Sequence, residues 1–165
     1  MSGISFYIRK SDEGLWFYII GLVMGVIRFL KVNPNKKMTL AIYGLTAFYR
    51  MQMLLVPSKT LEKKWGERNM ESPQEDSREN YHYAYIVSNE VNRIADKTPW
   101  ESKCLVRALT ARFLLHRKHI LTTMYLGVGK DENGAMIAHA WLRCGDKYVT
   151  GGDGSTYATV ARFCM

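Results

Sequence analysis

Three side chains in the C-terminal half of this 165-residue chain could carry out chemistry together. Cys104 stands in the stretch TPWESKCLVRAL, His139 stands in AMIAHAWLR, and Asp153 lies among glycines 14 residues after the histidine. A thiol, an imidazole and a carboxylate suit thiol-dependent hydrolysis, which needs a thiolate, a base and a group that orients the base. A single cysteine is more often a small buried residue than a nucleophile. The hypothesis therefore depends on the elements that carry these residues.

Two aspartates are candidates for the orienting carboxylate. Asp146 belongs to a Gly-Asp pair that fits a tight hairpin turn, which favours a structural role for it. Asp153 follows the third predicted strand, where a neighbour of His139 could lie, and it is preferred. The other two cysteines, Cys144 and Cys164, have no nearby cap or base and are interpreted as packing residues.

The stretch around Cys104 predicts the start of a helix. Thr98–Glu101 fits a capping box with Pro99 at the first helical position. Ser102 is a second candidate cap, and it would start the helix one residue before Cys104. Either start places the cysteine within about the first two turns of the helix.

The sequence predicts a helix that contains Cys104 and then three strands, the second of which carries His139. The helix is predicted to continue to about Lys118 and to be mostly buried, with Arg112 among the few residues that meet solvent. Residues 121–128, 135–143 and 147–150 predict strands, and the sequence KDENG carries the Asn-Gly signal of a hairpin turn. Residues after 154 are compatible with a short helix or a strand.

Helices come first in the chain and antiparallel strands follow, so the predicted fold class is α+β. Residues 1–66 predict a helical N-terminal region, and within it 1–23 is treated as an extension because Met24 offers an alternative start. Residues 67–80 are almost free of apolar side chains and predict a loop or linker. Residues 81–165 form the predicted catalytic core.

The charge and the cysteines limit the class of protein. The net charge is +8, and residues 1–60 hold eight basic against two acidic side chains, or +6. This basic, apolar third favours contact with an anionic membrane surface or an acidic partner, and no nucleic-acid-binding motif accompanies it. The apolar run 15–27 is shorter than the roughly 20 residues of a membrane span. Three cysteines without a disulfide framework or zinc spacing indicate a cytoplasmic protein without a metal.

The stretch from PWESKCLVRAL to AHAW resembles the transglutaminase-like protease of lasso-peptide maturation. In that family a Pro-Trp pair and a Cys-Leu-x-x-Ala-Leu helix precede an Ala-His-Ala-Trp strand. The resemblance implies a transglutaminase-like or papain-like core, in which a central helix packs on an antiparallel sheet. It also implies that Cys104 is the nucleophile, that His139 is the base, and that an acid after the histidine strand, here Asp153, completes a triad.

The same resemblance implies a function and partners. The family removes the leader peptide from a ribosomally synthesised precursor before a separate, asparagine-synthetase-like cyclase closes the macrolactam. The chain resembles the split form, which works with a separate leader-recognition protein. Dependence on ATP is implied by the family, and the sequence places no cofactor-binding residues. Two other classes stay open, a non-catalytic scaffold of a biosynthetic complex and an acyl or amide transferase on the same fold.

Overall fold

The computed structural model describes Met24 and residues 35–165, and the unit discussed below is Thr39–Met165. The predicted extension 1–23 and, Met24 aside, the apolar run 15–27 lie outside the described residues. Within the described part, no helix is both long enough and apolar enough to cross a membrane. The predicted division of the chain into a helical region, a linker and a core stays a prediction.

Four helices are found among the described residues: α1 (Lys36–Leu55), α2 (Ser58–Glu62), α3 (Arg78–Ala95) and α4 (Cys104–His116). The first ends just before Pro57, as predicted, because proline disfavours helical geometry in the residue before it. The third begins at a capping serine, Ser77, whose hydroxyl accepts a hydrogen bond from the Asn80 N–H at 3.1 Å. Its buried stripe includes Val87 and Val91, which matches the predicted amphipathic helix.

The start of α4 differs from the predicted capping box. The residues from Thr98 to Lys103 are not helical, so Pro99 is not the first helical position, and Cys104 is. The Thr98 hydroxyl bonds to two nearby backbone carbonyls at 3.0 Å and to the Ser102 hydroxyl at 2.8 Å. Both predicted caps are therefore engaged in a local turn, which competes with capping. The N-cap residue, Lys103, makes no side-chain hydrogen bond that caps the helix.

The body of α4 is mostly buried, as predicted, but one of its residues was misplaced. Arg112 is 4% exposed, although it was expected to meet solvent. Its guanidinium donates a hydrogen bond to the backbone carbonyl of Trp65. Burial lowers the pKa of Arg112 to about 10, opposed by the phenol of Tyr49. The carbonyl of a residue distant in the chain thus provides the partner that the local pattern could not reveal.

The sheet is antiparallel and has the order β1-β5-β2-β3-β4. Its described strands are β1 (Glu67–Arg68), β2 (Thr123–Lys130), β3 (Met136–Cys144), β4 (Lys147–Thr150) and β5 (Ala158–Cys164). The three predicted strands are present with small shifts at their ends, and the hairpin turn contains Gly134 at a φ of 79°. The fold class α+β is confirmed. The last strand pairs with β2 rather than with β4, which the sequence did not predict.

The two faces of the sheet differ in composition. Met124 pairs with Leu142 and with Phe163, and these three fully buried side chains belong to the apolar core on one face of the sheet. Alternation places His139 and Trp141 on the opposite face.

Helix α4 packs against β3 and β4. Arg112, in its C-terminal half, bonds to Trp65, and the Trp65 ring meets Phe163 edge-on with centroids 5.6 Å apart. Phe163 pairs with Met124 near the start of β2. These contacts join α4 to the face of the sheet that carries Phe163, and no described contact links Cys104 to His139 on the opposite face.

Candidate active site

Cys104 is a free, half-buried thiol at the first position of α4. The backbone N–H groups of a first helical turn point along the axis without helical partners and favour negative charge there. No acidic side chain occupies the first turn of α4 to oppose this effect. The position therefore suits a group that becomes an anion, as a nucleophilic cysteine does.

The segment that leads into Cys104 is attached to α1. The indole N–H of Trp100 donates to the Thr46 hydroxyl at 3.3 Å. The carboxylate of Glu101 forms an ion pair with Arg50 at 2.6 Å. These contacts fix the path of the chain immediately before the cysteine, so they position it although neither touches the thiol.

His139 lies on β3 beyond the residues that pair with β4, so its ring reaches the chain that leaves β4. Its Nε2 is 2.7 Å from the backbone carbonyl oxygen of Gly151. Because a carbonyl oxygen can only accept, Nε2 carries the proton and donates it in this bond. A neutral imidazole in this tautomer has its lone pair on Nδ1. The nitrogen that could take a proton from a thiol is therefore Nδ1.

Two aromatic rings hold the plane of the imidazole. Tyr157 stacks on His139 with centroids 4.6 Å apart and planes 22° apart, and Trp141 lies at 6.1 Å and 19°. Two glycines on β2 make room for these rings. A Cβ on Gly127 would lie 2.8 Å from the Trp141 ring, and one on Gly129 would lie 2.9 Å from the Tyr157 ring. Because Gly127 and Gly129 have no side chains, the two rings can lie close to the backbone of β2.

The predicted third member, Asp153, is engaged elsewhere. Its carboxylate is exposed and accepts a hydrogen bond from the Ser155 backbone N–H at 3.0 Å, and this bond lowers the pKa of Asp153. The alternative, Asp146, lies in the β3–β4 turn and pairs with Lys147 at 2.8 Å. The atom that bonds to His139 is the carbonyl of Gly151. Asp153 as the third member stays a prediction.

The described contacts do not join the predicted residues to one another. Within the described part of the chain no hydrogen bond links the side chains of Cys104 and His139, and His139 bonds to the Gly151 carbonyl. Such contacts are often long in the absence of substrate and tighten when it binds. Sequence reasoning missed Gly151 and Tyr157, because a backbone acceptor has no residue-type signal. The alternate glycines 127 and 129 were the available hint of a close approach at this face.

The other two thiols differ from Cys104. Cys144 is fully buried, and burial, with a further contribution from Asp76, raises its pKa to about 12. Its Sγ donates a weak hydrogen bond to the Asp76 carboxylate at 3.8 Å. Burial also raises the pKa of Cys164. A thiol that resists ionisation is a poor nucleophile, so the packing role predicted for both agrees with their surroundings.

Comparison with known proteins identifies the family. A family model described as the transglutaminase-like superfamily matches residues 54–162, which is 109 of the 165 residues and includes Cys104, His139 and Asp153. Searches of curated proteins and of solved structures found no significant match. The superfamily has a papain-like cysteine protease fold, which is commonly that of a cysteine protease or a transferase. The match covers about two thirds of the chain and agrees with the α+β architecture, so this protein belongs to the transglutaminase-like superfamily.

Proposed function

We propose that this chain is a cysteine peptidase that removes the leader from a lasso-peptide precursor before macrolactam cyclisation. The observation that carries the proposal is the hydrogen bond from His139 Nε2 to a carbonyl, which leaves the Nδ1 lone pair available, in a chain whose free thiol Cys104 stands at a helix start. Membership of a superfamily of peptidases and transferases supports thiol chemistry. The lasso-peptide substrate rests on the resemblance of the PWESKCLVRAL and AHAW stretches to that family.

The proposed reaction proceeds in two halves. The proton of the Cys104 thiol moves to Nδ1 of His139, and the thiolate attacks the carbonyl carbon of the scissile bond. The C–N bond breaks, the amine of the core peptide leaves with the proton from Nδ1, and the leader stays as a thioester on the sulfur. Water then gives a proton to Nδ1 and attacks the thioester, and the C–S bond breaks to release the leader carboxylate. The thiolate takes its proton back from the imidazolium.

A separate leader-recognition protein and a cyclase are the proposed partners. The described residues, Met24 and 35–165, do not assign a surface to either partner. Dependence on ATP is proposed from the same family resemblance, and the two halves of the reaction do not require it. Cytoplasmic localisation and contact of the basic N-terminal third with a membrane surface also stay proposals.

The experiment incubates the purified chain with a lasso-peptide precursor in the presence of a leader-recognition protein. We expect mass spectrometry to detect a leader fragment that has gained water. The Cys104→Ala variant should lose cleavage by at least about 10³-fold, since removal of a nucleophile leaves only binding and background catalysis. The matched control is Cys164→Ala, which removes a half-buried thiol and should cleave like the parent chain.

Two outcomes would contradict the proposal. Retained cleavage by Cys104→Ala would exclude a cysteine mechanism at this position. A leader that gains an amine instead of water would indicate a transferase, which uses the same thioester and resolves it with a different nucleophile.

A further inference from the structure

The surroundings of His139 hold it without a carboxylate. The ring has three described contacts: the Gly151 carbonyl at 2.7 Å from Nε2, the Tyr157 ring at 4.6 Å and the Trp141 ring at 6.1 Å. The hydrogen bond fixes the tautomer and the in-plane rotation of the imidazole, and the stacked rings fix its tilt. A carboxylate in a thiol triad performs the first of these tasks. The backbone therefore already occupies the position of the third member.

We propose that the Gly151 carbonyl and the Tyr157 ring are the positioning groups of His139, in place of the carboxylate of Asp153. This inference rests on the proposed function, because it assigns the groups that orient the base of the same site. It concerns positioning residues alone, since neither group touches the reacting atoms.

The local backbone explains why the carbonyl of Gly151 points at the ring. Gly151 has a φ of 79°, a conformation that favours glycine, and a Cβ there would lie 2.4 Å from the Ala140 carbonyl. The chain thus turns close against β3 immediately after β4 ends at Thr150. The same turn continues to Asp153, whose carboxylate accepts a hydrogen bond from the Ser155 backbone N–H and so stabilises the rest of the loop. Asp153 in this arrangement shapes the loop that carries Gly151.

Tyr157 contributes through its ring and not through its hydroxyl. Offset stacking on an aromatic ring stabilises a contact, and the π face also attracts a cation such as imidazolium. Phenylalanine retains both properties and leucine retains neither. A Tyr157→Phe and Tyr157→Leu pair therefore separates the stacking from the bulk of the side chain.

The first measurement is the rate at which iodoacetamide alkylates Cys104 at neutral pH, read by peptide mass spectrometry so that the three cysteines are distinguished. It needs no precursor. We expect Tyr157→Phe to stay within about twofold of the parent chain, and Tyr157→Leu to react about two- to tenfold more slowly. We expect Asp153→Asn to change the rate by less than about threefold, because the amide oxygen can still accept from Ser155, whereas loss of an orienting carboxylate in a triad costs about 10⁴-fold in turnover.

A matched control guards against effects of the loop. Asp131 accepts backbone N–H bonds from Asn133 and Ala135 in the β2–β3 turn, just as Asp153 does from Ser155. Asp131→Asn should therefore perturb a turn to a similar degree at a distance from His139. A decrease of 100-fold or more in Asp153→Asn that Asp131→Asn does not show would overturn the proposal and restore Asp153 as the third member.

The second measurement is independent of any activity. Long-range nitrogen–proton correlation spectra of the full chain report which imidazole nitrogen of His139 is protonated. We expect the Nε2–H tautomer in the parent chain, in Asp153→Asn and in Tyr157→Phe. A neutral ring protonated at Nδ1 would overturn the inference. If the tautomer is as expected while His139→Ala leaves the alkylation rate unchanged, the peptidase proposal fails and the positioning inference stands, so the two failures are distinguishable.

Discussion

Adding one methyl group to Gly151 tests the link between the backbone turn and His139. A Cβ at this position would lie 2.4 Å from the Ala140 carbonyl oxygen and 2.9 Å from the Trp141 Cα. Both are backbone atoms of β3, so no flexible side chain can move aside. The carbonyl of the substituted residue is the acceptor of the His139 hydrogen bond. Gly151→Ala should therefore destabilise the fold and displace the imidazole together.

The neighbouring glycine provides a matched control. Gly152 has a φ of 69°, close to the 79° of Gly151, and nothing lies within 4 Å of a Cβ built on it. A left-handed conformation costs a non-glycine residue about 1–2 kcal/mol, and this is the expected loss for Gly152→Ala. Gly151→Ala bears the same cost plus about 1–3 kcal/mol for overpacking, which gives a loss of about 2–5 kcal/mol in the free energy of unfolding.

The assay is urea-induced unfolding followed by circular dichroism, with the free energy obtained from the midpoint and the slope. The alkylation rate of Cys104 is measured on both variants under conditions where each is folded. We expect Gly151→Ala alone to slow alkylation and to lose the Nε2–H tautomer of His139. Equal destabilisation by the two substitutions would refute the packing argument. A destabilised Gly151→Ala whose His139 tautomer is unchanged would refute the link to the site.

Two further predictions concern the arginines that meet Glu71. Arg143 is 4% exposed and bonds to Glu71 at 3.2 Å, whereas Arg162 bonds to the same carboxylate at 2.5 Å with 46% of its side chain exposed. Arg143→Met should lower the free energy of unfolding in urea by about 3–5 kcal/mol, because it leaves a buried hydrogen-bond network without its cation. Arg162→Met should lower it by at most about 1 kcal/mol, because its ion pair is exposed. Similar losses in the two variants would contradict this difference between the buried and the exposed arginine. Burial by itself raises the pKa of Glu71, but hydrogen bonds from Arg162 and Tyr125 and the charge of Arg143 outweigh it, so the net shift is downward. A lowered pKa stabilises the fold above the ordinary value of 4.5, and this stabilisation is lost as the pH falls through the folded-state pKa. Unfolding measured from neutral pH to about pH 3 should therefore depend less on pH in Glu71→Gln than in the parent chain, and an unchanged dependence would contradict the shift.

The elements that sequence reasoning predicted well are those governed by local pattern. The helix now seen at Lys36–Leu55 and the strands β2 to β4 follow from periodicity, from a proline stop and from an Asn-Gly turn. The capping box predicted at Thr98–Glu101 was wrong, because the Thr98 hydroxyl bonds within its own turn instead of capping α4. The exposure of Arg112 was wrong because its partner, the Trp65 carbonyl, is 47 residues away.

The segment 67–80 shows the same limit. Its polar composition predicts a solvated loop, and most of it is exposed. Ser72, however, is buried and bonds to the Thr123 hydroxyl at 2.9 Å, and its carbonyl accepts from Arg143 at 3.0 Å. A single buried cation can hold a polar segment against a sheet, and composition averaged over the segment does not detect it.

In the candidate site, too, sequence reasoning could propose side chains by their chemistry but could not predict contacts made by the backbone. Cys104 and His139 were proposed as site residues because thiol and imidazole are rare and their order along the chain is informative. Any residue supplies a carbonyl, so the Gly151 oxygen could be found only after β4, the turn and β3 were placed together. The carboxylate of Asp153 lies only two residues after Gly151 in the sequence. Sequence reasoning therefore chose this side chain as the partner of His139 and not a backbone carbonyl.

The difference between a carbonyl and a carboxylate has a chemical consequence. A carbonyl oxygen carries a partial charge, so the Gly151 bond fixes the His139 tautomer without placing a second full negative charge beside the ring. In the proposed reaction Cys104 gives its proton to Nδ1, and the new thiolate and the π face of Tyr157 would then stabilise the imidazolium. The helix start favours the thiolate at the same time. In this proposed arrangement the thiolate of Cys104 forms only if the imidazolium of His139 is stabilised. Removal of the Tyr157 ring should therefore lower the alkylation rate of Cys104, even without contact between these two residues.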